Sequence, residues 1–227
     1  MAEIIYPSIE QESAHEDMFV SFTTMILAKN PHAQASDITQ IFDDFIARYS
    51  EPQRKHHTLT HIQELLAFVE MLREDIEDPE TVQLAIWEHD SIYDTRATQP
   101  GVNEENSAVT GTNLYIQVGI PTPVLTTVER YTRATVTHEC DETDQDLLLF
   151  LDMDMAILGA PWERYLQYAQ AIREEYSWVD SALYGSRRIG FLNSTLQKPI
   201  FNTALFAHFE EQARENLERE IEWLRLI

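Results

Sequence analysis

Cysteine is nearly absent from this chain. Cys140 is the only one in 227 residues, so no intrachain disulfide can form, and a reducing compartment is the simplest expectation. Long apolar runs are missing too: stretches such as "LLLFL" fall far short of the roughly 20 residues a membrane span needs. Basic residues are scarce, 16 against 39 acidic ones, which leaves a formal charge of −23. That balance argues against a partner held by its phosphate backbone, because duplex binding needs clustered Lys and Arg. The opening "MAEIIYPSIEQE" carries acids where an export signal carries bases, so a cytoplasmic protein is expected. Sustained two-residue alternation, internal repeats and low-complexity linkers are also lacking, which argues against a sheet protein or an array.

Apolar residues recur instead at helical spacing. "SDITQIFDDFIARY" begins on a Ser–Asp cap and aligns Ile38, Ile41, Phe42, Phe45 and Ile46 on one stripe. "TLTHIQELLAFVEML" opens at Thr58 and carries its stripe through Leu72, and "DPETVQLAIWEHDSIY" puts Pro79 near a helix start, where proline costs least. Similar patterns cover 103–118, 122–137, 143–158, 161–178, 180–196 and 203–225, with proline and glycine between them. At the C-terminus Phe209, Ala213, Leu217, Ile221 and Leu224 form a stripe suited to core packing, and the helix offers a face on which a homodimer can form. The expectation is an all-α fold of about nine or ten helices in a single domain, 1–227.

Three segments carry candidate chemistry. His57 and His61 are four apart, so on a helix turning about 100° per residue they share a face with Leu65, Phe68 and Leu72. A histidine on such a stripe is more often a satisfied core residue than a ligand. Thr58 follows the first histidine where a zinc-protease helix needs Glu, which excludes that class. In "LAIWEHDSIYD", His89 and Asp90 close a strongly apolar helix, where a cation or a mutual hydrogen bond must offset their burial. In "LLLFLDMDMAILGA", Asp152 and Asp154 lie about 200° apart on a helix and cannot both face one point. Asp154 shares its stripe with Leu147, Phe150, Leu151, Ile157 and Leu158 and is expected to be the inner one, with Asp152 a nearly equal case. Two imidazoles and two carboxylates on separate helices suit a first-row divalent ion with open positions, able to polarise a phosphoryl oxygen and acidify water.

The ordered set His, His–Asp, Asp in an all-helical chain resembles the HD-domain superfamily of metal-dependent phosphohydrolases. The stretches "EPQRKHHTLTHI", "AIWEHDSIYD", "NEENSA", "DMDMAILGA", "YAQAIREEY" and "PIF" are similar to a family of small bacterial HD proteins described only as predicted metal-dependent phosphohydrolases. They span residues 51 to about 201. The resemblance implies a phosphodiesterase-type HD core over that span, with the N-terminal helices and the C-terminal helix packed on it. It implies a divalent ion (Mn, Fe, Ni, Co, Mg or Zn) held by His61, His89, Asp90 and Asp154, with Asp90 also counted as catalytic. His57 would be the acid to the leaving group. This sequence departs from the family motif at His56, in place of a tyrosine, and at Thr58, in place of an asparagine.

The implied substrate is a small phosphoester, a nucleotide or similar molecule, rather than a nucleic-acid polymer or a membrane. Glu104, Glu105, His138 and Asp152 are candidates for supporting a ligand or for a second metal. Against that stand an ordinary acidic first turn and a histidine at a helix end. Arg54, Arg133, Arg173 and Lys198 are candidates to receive phosphate, beside Arg187 and Arg188. His56 points about 100° from His57 on the helical reading and is given no role. Two other classes remain open: a di-iron oxygenase using His138 and a nearby Glu, and a nucleotide sensor that binds without turnover.

Overall fold

The structure, a computed structural model, describes residues 4–7, 14–138 and 143–226, so that Cys140 lies outside it. Among the described residues the chain is all-α, as expected, with ten α-helices and no strand. The helices are α1 (Ala14–Lys29), α2 (Ala35–Tyr49), α3 (Leu59–Met71), α4 (Pro79–Glu88), α5 (Val102–Gln117), α6 (Thr122–Ala134), α7 (Gln145–Met155), α8 (Trp162–Glu175), α9 (Ser181–Thr195) and α10 (Glu210–Leu224). None of the described helices is long and apolar enough to cross a membrane. The chain divides into two compact units, one ending at Phe150 and one beginning at Leu151 and including residues 4–6.

In the first unit α4 is the central element, and every residue from Thr81 to His89 is buried. A helix apolar or buried all round must be enclosed by others, and α1, α3, α5 and α6 enclose it. Its start is held by Asp78, whose carboxylate accepts the Thr81 amide at 3.1 Å, and by Pro79 in the first turn. Asp146 adds a second anchor by accepting the amides of Glu77 and Asp78, each at 2.8 Å. Trp87 sits among Phe22 of α1 and Phe42 and Phe45 of α2, with ring centroids 5.2, 5.7 and 5.9 Å away. Periodicity places no helix over 14–29, because α1 buries Met18, Phe22, Met25 and Ile26 while also exposing Val20 and Leu27. Apolar residues on all sides blur the stripe.

In the second unit Phe209, just before α10, and Ala213, Leu217, Ile221 and Leu224 of α10 form the expected stripe, all buried. Within its buried face, the Glu220 carboxylate pairs with the Arg188 guanidinium through two contacts of 2.8 and 3.0 Å and also accepts the Tyr165 hydroxyl. Gly159 stands where a Cβ would come within 2.9 Å of the Phe209 carbonyl, so backbone approaches backbone there.

Two expectations are corrected in this unit. The segment 203–225 is not one helix: α10 begins at Glu210, after a turn of tighter helix at Ala207–Phe209. Local side chains take the amides upstream of it. Asp152 accepts the Asn202 and Thr203 amides at 2.6 and 2.8 Å and their side chains at 3.0 and 2.7 Å, while Glu210 accepts the Ile200 amide. For the same reason the inner aspartate of α7 is Asp152, at 0% exposure, and not Asp154, which is partly exposed. Four hydrogen bonds are what allow a carboxylate that depth. Asp152→Asn would turn an NH2 group toward two donors, and a loss of about 2 kcal/mol in unfolding free energy is expected from denaturant titration.

Candidate metal centre

The C-terminal end of α4 is buried, so its last carbonyls need donors other than water. Each is accounted for. Ala85 O accepts the His89 amide at 2.9 Å, and Glu88 O accepts the Ser91 amide at 3.0 Å. Ile86 O accepts Nδ1 of His89 at 2.8 Å, and Trp87 O accepts the Tyr49 hydroxyl at 3.0 Å. Beyond the helix, Arg54 donates to Asp90 O at 2.7 Å and to Ser91 O at 3.0 Å. The same guanidinium donates to His57 O at 3.2 Å, so it ties the turn before α3 to the turn after α4.

This accounting sets the side chains. With Nδ1 of His89 donating to a carbonyl, its Nε2 carries a lone pair pointing the other way. That nitrogen lies 3.3 Å from Nε2 of His61 and 3.2 Å from Oδ2 of Asp90. Nε2 of His61 is 3.9 Å from the same carboxylate oxygen. Three electron-rich atoms so close repel unless a proton or a cation lies among them. Two atoms each about 2.1 Å from one ion, at angles of about 90–109°, are about 3.0–3.4 Å apart, and the two shorter separations match. His89 and Asp90 also stand at the C-terminal, negative end of α4, which favours a cation beside them. His61, His89 and Asp90 therefore fit a divalent ion, with a nitrogen-rich donor set of the kind that suits first-row transition metals and zinc.

Around the three lie residues that helical geometry misplaced. α3 begins at Leu59, so His56 and His57 occupy a turn, and the shared helical face predicted for His57 and His61 does not exist. His57 still approaches: its Nε2 is 3.9 Å from Oδ2 of Asp90, and its ring stacks on Tyr93 at 3.9 Å. His56, given no role from sequence, is 7% exposed and its ring centre is 4.9 Å from that of His61, closer than the 6.1 Å of His57. Tyr49 and Asn103 were likewise not singled out for the work they do. Asn103 and Ser107, four apart on α5, bracket the segment after the dyad through Asp94 and Ile92. An i, i+4 pair of small polar residues after a turn is a signal that sequence reading can use.

The other candidates fall as follows. Arg54, expected to receive phosphate, is committed inside the fold, with its Nε on Glu51 at 3.1 Å. Arg133 and Glu105 hold each other at 2.7 and 3.1 Å, and Arg133 also meets Glu129 at 2.9 Å. Glu104 lies in the first turn of α5, partly exposed. His138 follows α6 with φ 51 and its amide on Ala134 O, a left-handed helix ending. Asp152, Asp154, Arg173 and Lys198 belong to the other unit. There Arg173 donates to Tyr176 O, Val179 O and the Ser181 hydroxyl, while Lys198 is exposed. No protein-family model and no curated protein matches the chain.

Glu88, next to the dyad, turns the opposite way. Its side chain is fully buried; Oε1 accepts the Thr132 hydroxyl at 2.9 Å, Oε2 has no partner, and a Cβ on Gly111 would come within 2.5 Å of it. Burial pushes this carboxyl well above its usual range, against the pull of the Thr132 hydrogen bond. Folding thus favours the protonated form. Stability is complete below the unfolded value, about pH 4.3, and declines as pH rises from there toward the folded value.

Two outcomes are expected. In thermal melts of chelator-treated protein, Glu88→Gln gains on the wild type as pH rises from about 5 to 8; parallel curves would count against a buried neutral acid. Arg54→Lys, which cannot reproduce the fork across three carbonyls, unfolds about 3 kcal/mol more easily in urea, whereas a surface phosphate-binding arginine would tolerate the change.

Proposed function

We propose that this chain is a metal-dependent phosphohydrolase of the HD type, acting on a small phosphoester such as a nucleotide. The observation that carries this reading is the convergence of His61 Nε2, His89 Nε2 and Asp90 Oδ2, with 3.3 and 3.2 Å between neighbours, at the buried end of α4. The order of residues that resembles the HD superfamily supports it independently. Bound there, a divalent cation polarises a phosphoryl oxygen and lowers the pKa of a water positioned to attack.

The chain's own residues do the rest. His61, His89 and Asp90 would hold the cation, the Ile86 carbonyl fixes Nδ1 of His89 so that Nε2 is left for it, and the Asp90 carboxylate would partly neutralise its charge. With its side chain 16% exposed, His57 sits at the rim and is the candidate donor of a proton from Nε2 to the departing oxygen. The proposed ligands, His61, His89 and Asp90, are all residues of the first unit. Arg54 and Arg133 are bound up in other contacts, so the cation itself is the proposed counter-charge to the phosphate.

The test is a screen of chelator-stripped protein, reloaded with Mn, Fe, Co, Ni, Zn or Mg, against nucleoside mono-, di- and triphosphates and cyclic nucleotides. Phosphate or nucleotide release should depend on the added ion. His61→Ala and Asp90→Ala should abolish both ion uptake and release, and His57→Gln should lower kcat about 100-fold. Variants at His61 and Asp90 that keep wild-type activity would rule the assignment out, and oxygen consumption without phosphate release would favour a di-iron oxygenase.

A further inference from the structure

We infer that Tyr93 is a positioning residue that keeps the His57 imidazole off the cation, so that its Nε2 is reserved for proton transfer; this rests on the metal-site reading above. The geometry sets the problem. Nε2 of His57 and Nε2 of His61 lie equally far, 3.9 Å, from Oδ2 of Asp90. One of the two is assigned as ligand and the other as acid, yet distance to the carboxylate does not separate them. What separates them is how each ring is held.

His61 stands in the first turn of α3, with its ring centre 5.4 Å from that of His89. His57 lies in a non-helical turn, where its backbone has no ladder of hydrogen bonds to fix the side chain. Contacts from neighbouring side chains hold it instead. Arg54 holds the His57 carbonyl at 3.2 Å, and the Tyr93 ring lies against the imidazole at 3.9 Å with 29° between planes. Tyr93 is in turn under the Arg54 guanidinium, 5.8 Å from its ring centre, so the stack is fixed from outside the site. Swinging the imidazole away from this position costs the stack. Removing the Tyr93 ring therefore converts His57 from an acid at the rim into an additional nitrogen ligand.

Co2+ titration of the full chain reads this directly, because the visible bands and dissociation constant of bound Co2+ report the ligand set. In the wild type, His57→Gln should leave Co2+ affinity within about twofold, since His57 is not a ligand. Tyr93→Leu should bind Co2+ roughly tenfold more tightly or better, with shifted bands, as an added inner ligand would produce. Tyr93→Phe, which keeps the stack, should match the wild type, and the double variant Tyr93→Leu, His57→Gln should return to it. A Tyr93→Leu protein with wild-type bands and affinity overturns the inference. So does a His57→Gln protein with weakened Co2+ binding, an arm that decides the matter even if Tyr93→Leu does not fold. A wild type that takes up no Co2+ overturns the metal reading itself, and this inference with it.

Discussion

Helix α4 ends inside its unit, where water cannot reach its terminal carbonyls, and much of the candidate site follows from how those carbonyls are satisfied. An exposed helix end solvates its last four acceptors at no structural cost, but a buried one must recruit donors from the protein. Here the donors are the Tyr49 hydroxyl, the His89 imidazole and the Arg54 guanidinium, besides two amides from the following turn. Two of the recruited groups do a second job. The imidazole acquires a defined lone pair, and the guanidinium pulls the turn bearing His57 against the turn bearing Asp90. The geometry of the candidate site is thus obtained from the backbone's own hydrogen-bond requirement.

The same logic governs buried charge in the second unit. Asp152 reaches zero exposure because four donors surround its carboxylate, and Glu220 is held by Arg188 and Tyr165. Such groups contribute little net stability over an apolar replacement, yet removing one partner leaves the other uncompensated. They specify one arrangement. Asp152 selects the path of residues 202–203 much as Arg54 selects that of residues 54–57 in the first unit.

Periodicity was legible wherever one face of a helix is apolar and the other polar. The stripe Phe209, Ala213, Leu217, Ile221, Leu224 is buried as the spacing predicts, and so are Ile38, Ile41, Phe42 and Phe45, while Ile46, the fifth member of that stripe, is partly exposed. α1 escaped because Val20 and Leu27 face outward beside an apolar core face. The grouping of His61 with His89 and Asp90 was legible from residue types in order. The details around them were not, because they depend on a turn. His56 and Tyr93 take their places through the path of residues 55–58 and 91–94, which no spacing rule describes. Asp152 and Asp154 have nearly equal apolar neighbours, and the decision between them came from donors fifty residues away. Arg54 looked like a phosphate receiver because a cation is rare in an acidic chain, but the orphan carbonyls that claim it are visible only in three dimensions.

The complete burial of α4 from Thr81 to His89 also bears on motion. Amides in a helix enclosed on every side exchange with solvent only when the whole cooperative unit opens, whereas amides in turns exchange through small local fluctuations. The His89 side of the candidate site is therefore as slow to open as its unit is to unfold, while the turns that carry His57 and Tyr93 are held by side-chain contacts instead of a helical ladder. The candidate site thus joins a helix end that opens only with its whole unit to turns that rely on a buried guanidinium and a ring stack.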